Sequence, residues 1–262
     1  MKTFKLSIVL LLLLGALSCK KTDESSNSTT STTVTTDQAA DLAASSLAEN
    51  SYGLTTVSDN ISANAQSLSS LSTSTPAVNS LTTSVHQECG TTLTDSASNS
   101  GTNGSASFSY FFKFARTLNC NTNSKPDNLA NSVLYRGSFS GPNVTTADTG
   151  SAVFTIAGLT TAAKAFVING EYKRSGSFQS QVGNKASGHS NVDIVLTNLT
   201  LVKPTRAISS GSATISITGS TSKNGSFSYT GTLVFNNDGT ATLTINGLVY
   251  AINLTTGVRL RH

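Results

Sequence analysis

The chain contains no tryptophan, a single methionine and four prolines in 262 residues, and only 11% of its side chains are charged. Scarce charge removes one large function class. No run of Lys or Arg exceeds two residues, so a surface that tracks nucleic-acid phosphates is not expected. Nucleotide-binding and hydrolase signatures are missing too: there is no P-loop, no Gly-x-Gly-x-x-Gly and no Gly-x-Ser-x-Gly elbow. His, Glu and Cys gather in one place, His86-Gln87-Glu88-Cys89. His-x-Glu is half the signature of zinc nucleobase deaminases, but the Pro-Cys-x-x-Cys that completes it is absent. Neither a metal site nor a cofactor is therefore expected.

Serine and threonine are abundant instead, at 81 positions. The start of the chain has its own pattern. Lys2 and Lys5 precede an apolar stretch from Leu6 to Leu14, which is well short of the roughly 20 residues of a membrane-spanning helix. Small residues follow, in Leu14-Gly15-Ala16-Leu17-Ser18-Cys19. This is the layout of a secretory signal peptide with a cysteine at the cleavage point.

That run resembles the lipobox of bacterial lipoproteins, with Ala16 where the pattern more often has leucine. The resemblance implies a diacylated thioether on Cys19 and a further acyl chain on its amine. At about 0.8 kcal/mol per buried CH₂, two or three chains anchor a protein stably where one would not. It also implies a Gram-negative outer-membrane location, because Lys20 stands where an inner-membrane retention aspartate would be. Lys20-Lys21-Thr22-Asp23-Glu24 resembles the short charged signals that direct some lipoproteins to the cell surface, and the periplasmic face is the alternative. The expected partners are thus the membrane, through the anchor, and an extracellular or periplasmic ligand. Losing Lys2 and Lys5 lowers the formal net charge from +4 to +2.

Three cysteines leave an odd one in an exported chain. Lipidation of Cys19 leaves Cys89 and Cys120, which are expected to form a disulfide in an oxidising compartment, two unpaired thiols being the alternative.

The chain divides into a signal peptide (1–18), a lipidated Ser/Thr-rich tether (19–36), a helical segment (37–75) and a β-domain (76–262). Asp37 to Asn50 is rich in good helix formers, with a stop at Ser51-Tyr52-Gly53. Ser58 to Leu71 places Ile61, Ala65, Leu68 and Leu71 on one face. Both apolar stripes are thin, so these helices are expected to dock on the β-domain. Beyond Val85 the period becomes two, most clearly at Phe108, Tyr110, Phe112 and Phe114. Further strands are expected near 132–140, 151–157, 163–168, 171–179, 191–202, 212–221, 226–236, 240–245 and 248–255. Asn169-Gly170, Asn224-Gly225, Asp238-Gly239 and Asn246-Gly247 read as hairpin turns, since these pairs tolerate the positive φ that such turns need. The fold class is mainly β: an antiparallel meander of about ten strands with one or two short N-terminal helices. One face of the sheet is apolar, and a barrel, a sandwich or a helical lid would each cover it.

Local patterns offer little chemistry. Ser220-Thr221-Ser222-Lys223 matches Ser-x-x-Lys of penicillin-recognising enzymes, but its partner motifs are absent. Asn236-Asn237-Asp238-Gly239 reads as a turn rather than a calcium loop, because Val234 holds the first ligand position. His189 has no metal-like neighbour in sequence. Glu171, followed by Lys173 and Arg174, reads as a cross-strand charge on a solvated hairpin, and Asp193 lies on the polar face of its strand. Phe111, Tyr135, Tyr172 and Tyr229 would make a sugar-stacking platform if exposed, though core packing explains such residues more often. The Thr240, Thr242 and Thr244 row fits a solvated strand face. The expected function is a non-catalytic, lipid-anchored β-domain for adhesion, envelope structure or capture of a macromolecular ligand. A lipocalin-like barrel for a small apolar ligand is the second reading and a hydrolase the third.

Overall fold

A computed structural model describes residues 33–71, 87–223 and 225–262. The anchor at Cys19, most of the tether, His86 and Asn224 lie outside them.

Two helices and a 3₁₀ turn come first. Helix α1 spans Thr36–Leu47, the turn Glu49–Ser51, and helix α2 Leu54–Leu71. A capping box starts α1: Thr35 accepts from the Gln38 N–H, and the Gln38 side chain accepts from the Thr35 N–H. The folded region therefore reaches back past Asp37. Val34 is already buried, and the Thr33 carbonyl accepts from Asn184.

Eleven strands follow in one antiparallel sheet whose spatial order is the chain order. They are β1 (Thr92–Asn103), β2 (Ala106–Cys120), β3 (Pro126–Ser140), β4 (Val144–Ala157), β5 (Ala165–Ser180), β6 (Ser187–Val202), β7 (Ala207–Thr221), β8 (Ser226–Phe235), β9 (Thr240–Ile245), β10 (Leu248–Asn253) and β11 (Arg259–Arg261). The meander and helices are as the pattern predicts, but β1 and β11 are additional strands. Asn246-Gly247 forms the expected two-residue turn, with φ of 48° and 73° between the paired Ile245 and Leu248. Asn169-Gly170 does not. It lies inside β5, opposite a bulge in β6: Ile168 to Gly170 faces Leu199 to Leu196, Asn198 of β6 adopts φ 53° and Gly170 adopts φ 139°. A strand that lies against a bulge can need the same permissive residue as a turn, so the dipeptide alone does not separate the two.

The sheet is neither a closed barrel nor a sandwich: β1 and β11 are the unpaired edges of a single sheet, and helix α1 lies against its inner side. This one short helix touches β4, β6, β7, β9, β10 and β11, strands from both halves of the sheet. Every residue from Gln38 to Leu47 is buried, so the sheet curls around the helix. Small side chains (Ala39, Ala40, Ala43, Ala44) let it fit, and its buried polar groups have partners. Asp41 accepts from Arg259 at 2.7 and 3.1 Å and from Asn143 at 2.9 Å. The Gln38 amide donates to Ser180 and Asn184.

Between the two edge strands the 3₁₀ turn acts as a bridge. Glu49 and Asn50 N–H donate to the Leu254 and Thr255 carbonyls beyond β10. On the other side, Asn103 of β1 donates to Asn50, and Asn99 to the Tyr52 hydroxyl. Cys89 and Cys120 form a disulfide, with Cα atoms 5.6 Å apart, which ties the segment before β1 to the end of β2.

Candidate functional site

The inward side of the curl is filled, so the accessible chemistry lies on the outer face. A shallow groove of about 800 Å³ crosses β1 to β6 there, with Ser98 at its β1 end. Its position follows from register. Phe111, Arg136, Thr149, Ser175 and Asn191 stand in one row across five strands. Ser109, Ser138, Ala147, Ser177 and His189 stand in the row two residues away. Between them runs an inward-facing row that includes Gly137 and Gly176. A Cβ at Gly137 would lie 2.2 Å from the Tyr110 ring, and one at Gly176 2.0 Å from the Ala147 carbonyl. Only glycine fits at these two positions, and the absent side chains let the neighbouring strands and the Tyr110 ring pack closely beneath the groove.

The groove presents hydroxyls, one cation and one aromatic ring. The Arg136 guanidinium lies over Phe111, 5.4 Å from the ring centre. Ser175 Oγ donates to Asn191 Oδ1 at 2.7 Å and lies 3.1 Å from His189 Nε2. A Ser–His pair invites a nucleophilic reading, but the serine proton is taken up by Asn191. No carboxylate bonds to His189 among the described residues, so nothing there orients the imidazole as a base would require. The arrangement suits stacking and multiple hydrogen bonds to a polar ligand.

Beneath the groove, Arg174 is buried, on the opposite face of β5 from the half-exposed Glu171 and Lys173. Its Nε lies 2.9 Å from Asp148 Oδ2, and its other nitrogens donate to the Ser45 and Ser51 carbonyls and to the Tyr110 hydroxyl. Burial pushes the Tyr110 hydroxyl up to about 12, against the opposing effect of Arg174. Burial alone would lower Arg174, but Tyr110 and Asp148 hold it firmly protonated. This cluster fastens α1 and the 3₁₀ turn to the sheet. One signal in the sequence pointed to it: Arg174 lies two residues after Tyr172 and shares its face.

Other candidates scatter. Glu171 and Asp193 both reach Lys173, at 2.9 and 3.6 Å, on the open outer face. Burial first and Glu171 second raise the Asp193 carboxyl. The shared lysine makes this an ion-pair cluster, with about 40% of each carboxylate side chain exposed. Tyr135 and Tyr172 are buried and stack on each other at 5.5 Å, and Tyr229 donates to the Val34 carbonyl. Of the four aromatics, Phe111 alone keeps an exposed outer position, so they form no platform. Asp238 accepts from Thr240, and Asn236 donates to Thr240 and Thr242, so the turn uses its own polar groups. Ser222 donates to the Ser187 carbonyl in the hairpin region that holds the Ser-x-x-Lys sequence. Among the described residues no cluster of His, Cys, Asp and Glu could hold a metal, and no helix is long and apolar enough to cross a membrane. No protein-family model, no curated protein and no solved structure matches this chain.

Proposed function

We propose that the protein is a lipid-anchored lipoprotein of the outer membrane, on the cell surface, whose β-domain binds a macromolecular ligand without catalysis. The observation that carries the ligand-binding half is the filled curl. With α1 buried on all sides, the surface left for recognition is the outer face, with its hydroxyl rows and the Phe111–Arg136 pair. Aromatic stacking beside many hydroxyls and a guanidinium suits a polar polymer better than a small apolar molecule. The lipocalin-like reading fares worse. A cavity of about 120 Å³ lies beside α1, between Phe139 and Val258, and one of about 280 Å³ lies by Thr55 and Ile208, where Glu49, Asp59 and Arg206 make the lining charged; small-molecule sites begin at roughly 300 Å³ and are mostly apolar.

Anchoring rests on the signal-peptide pattern ending at Cys19. The fifteen residues from Cys19 to Thr33 reach at most about 50 Å when extended, enough for the domain to stand clear of lipid headgroups. Two experiments test this reading. Cys19→Ala should abolish palmitate labelling and release the protein from membranes; unchanged membrane retention refutes the anchor. Protease added to intact cells, with a periplasmic protein as control, should digest the domain, and protection would move it to the periplasm and favour an envelope role.

A further inference from the structure

The outermost long strand is unusual in having nothing to bury. Strand β1 is twelve residues long and pairs with β2 alone, and apart from the half-buried Leu93 every residue in it is exposed. Strands β2 to β10 each bury one face, whereas β1 is polar on both. It also lacks the ordinary protections of an edge. There is no proline, no lysine and no slip in its register from Thr92–Thr117 to Asn103–Ala106. The opposite edge, β11, has three residues and carries Arg259 and Arg261.

The outward hydrogen-bonding groups can be assigned. Gly104 and Ser105 form a two-residue turn between the paired Asn103 and Ala106. The closing pair of such a hairpin exchanges both backbone bonds, and bonded and non-bonded pairs then alternate. Odd-numbered residues of β1 therefore face β2, and the even-numbered ones, Thr92 to Thr102, point N–H and C=O outward. The Ser96 N–H agrees: the Asp95 side chain, rather than β2, bonds it at 2.7 Å, and that bond must open for a strand to pair there.

From this edge we infer that two copies of the chain pair through β1, antiparallel about a two-fold axis at Ala97. The occupant must be polar on both faces and able to bond to even-numbered positions, and β1 itself meets both conditions. The axis at Ala97 uses nearly the whole strand and makes every cross-strand pair compatible. On one face Thr92 meets Thr102, Thr94 meets Ser100, and Ser96 meets Ser98, all hydroxyl pairs. On the other, Leu93 meets Gly101, Ala97 meets its mate, and the one carboxylate, Asp95, stands opposite Asn99, whose amide also donates to the Tyr52 hydroxyl of its own chain. Like charges never face each other, and such pairs contribute where opposed charges would destabilise. The interface is isologous and closed, so it yields a dimer rather than a fibre. Confinement to one membrane would raise the effective concentration of the pairing strands, though the pairing does not depend on the anchor.

The test is cysteine cross-linking of the full chain in its own membranes. Ala97→Cys places two thiols at a non-hydrogen-bonded pair, with Cα atoms about 4.5 Å apart. Mild oxidation should give a reductant-sensitive dimer, several-fold more than Thr92→Cys, whose mate would lie about 34 Å away. Adding Ser98→Pro to Ala97→Cys removes an outward N–H without touching the β2 ladder, and should abolish the cross-link while circular dichroism stays unchanged. Equal cross-linking at 92 and 97 would mean random collision and overturn the pairing. No cross-link at 97 would also overturn it, leaving the edge to another segment or partner.

Discussion

At Arg174 a guanidinium sits where water does not reach, held by one carboxylate, one phenol and two carbonyls. Removing one member of a buried pair leaves the other charged and unsolvated. Arg174→Ala is therefore expected to cost about 3–5 kcal/mol, measured as a lower urea midpoint. Arg174→Met with Asp148→Leu should recover most of the loss, because the pair itself contributes little net stability once both charges are gone. Tyr110 makes a second test, in alkali. Its hydroxyl loses a proton near 10 when unfolded and near 12 when folded, so above pH 10 the unfolded chain binds fewer protons. Tyr110 should therefore contribute a loss on the order of 2 kcal/mol as pH climbs from 10 through about 12, and the other five tyrosines, raised by burial, add to it in the same direction. Urea melts at pH 9 and pH 11.5 check the sign, and Tyr110→Phe should make the decline shallower without removing it.

Strand β5 shows how one element can be misread locally. Asn-Gly between two apolar runs has the form of a hairpin, and around Asn246-Gly247 it is one. Around Asn169-Gly170 the chain runs straight on, because both sides of β5 find partners in β4 and β6. The bulge is held by Asn169, which accepts from the Asn198 N–H at 2.8 Å. A Cβ at Gly170 would lie 2.0 Å from the Val153 carbonyl, at a φ that side chains rarely adopt. Gly170→Ala should thus destabilise by more than about 2 kcal/mol, since strain and a backbone clash add. Asn169→Ala should lose about 1 kcal/mol for one hydrogen bond. Thermal melts of the two variants rank them, and an equal effect would count against the clash. Strands β1 and β11 escaped the pattern for a different reason: neither buries a face, so no apolar alternation marks them.

For the whole molecule, the question is what keeps an unclosed sheet curled. The helix inside and the 3₁₀ bridge across the open side limit how far it can open, and the disulfide fastens the edge hairpin β1–β2. The Cys89–Cys120 link spans 31 residues. In the chain-entropy model such a loop contributes about 3–4 kcal/mol, so the Cys89→Ser, Cys120→Ser double variant should lower the urea midpoint correspondingly while keeping β content. Loss of β content would mean that the link is needed to form the β1–β2 edge at all.

Period-two alternation and turn dipeptides were enough to specify an antiparallel meander with thin-striped helices docked on it, because strand identity depends on neighbours two residues apart. Cysteine parity paired Cys89 with Cys120 for the same local kind of reason. What covers the apolar face is a long-range matter. Whether α1 lies over the sheet or inside it depends on how tightly eleven strands bend, and on Asp41 meeting Arg259, 218 residues later. In the groove, Phe111, Arg136, Ser175 and His189 share no local pattern, and only the register of five strands brings them together.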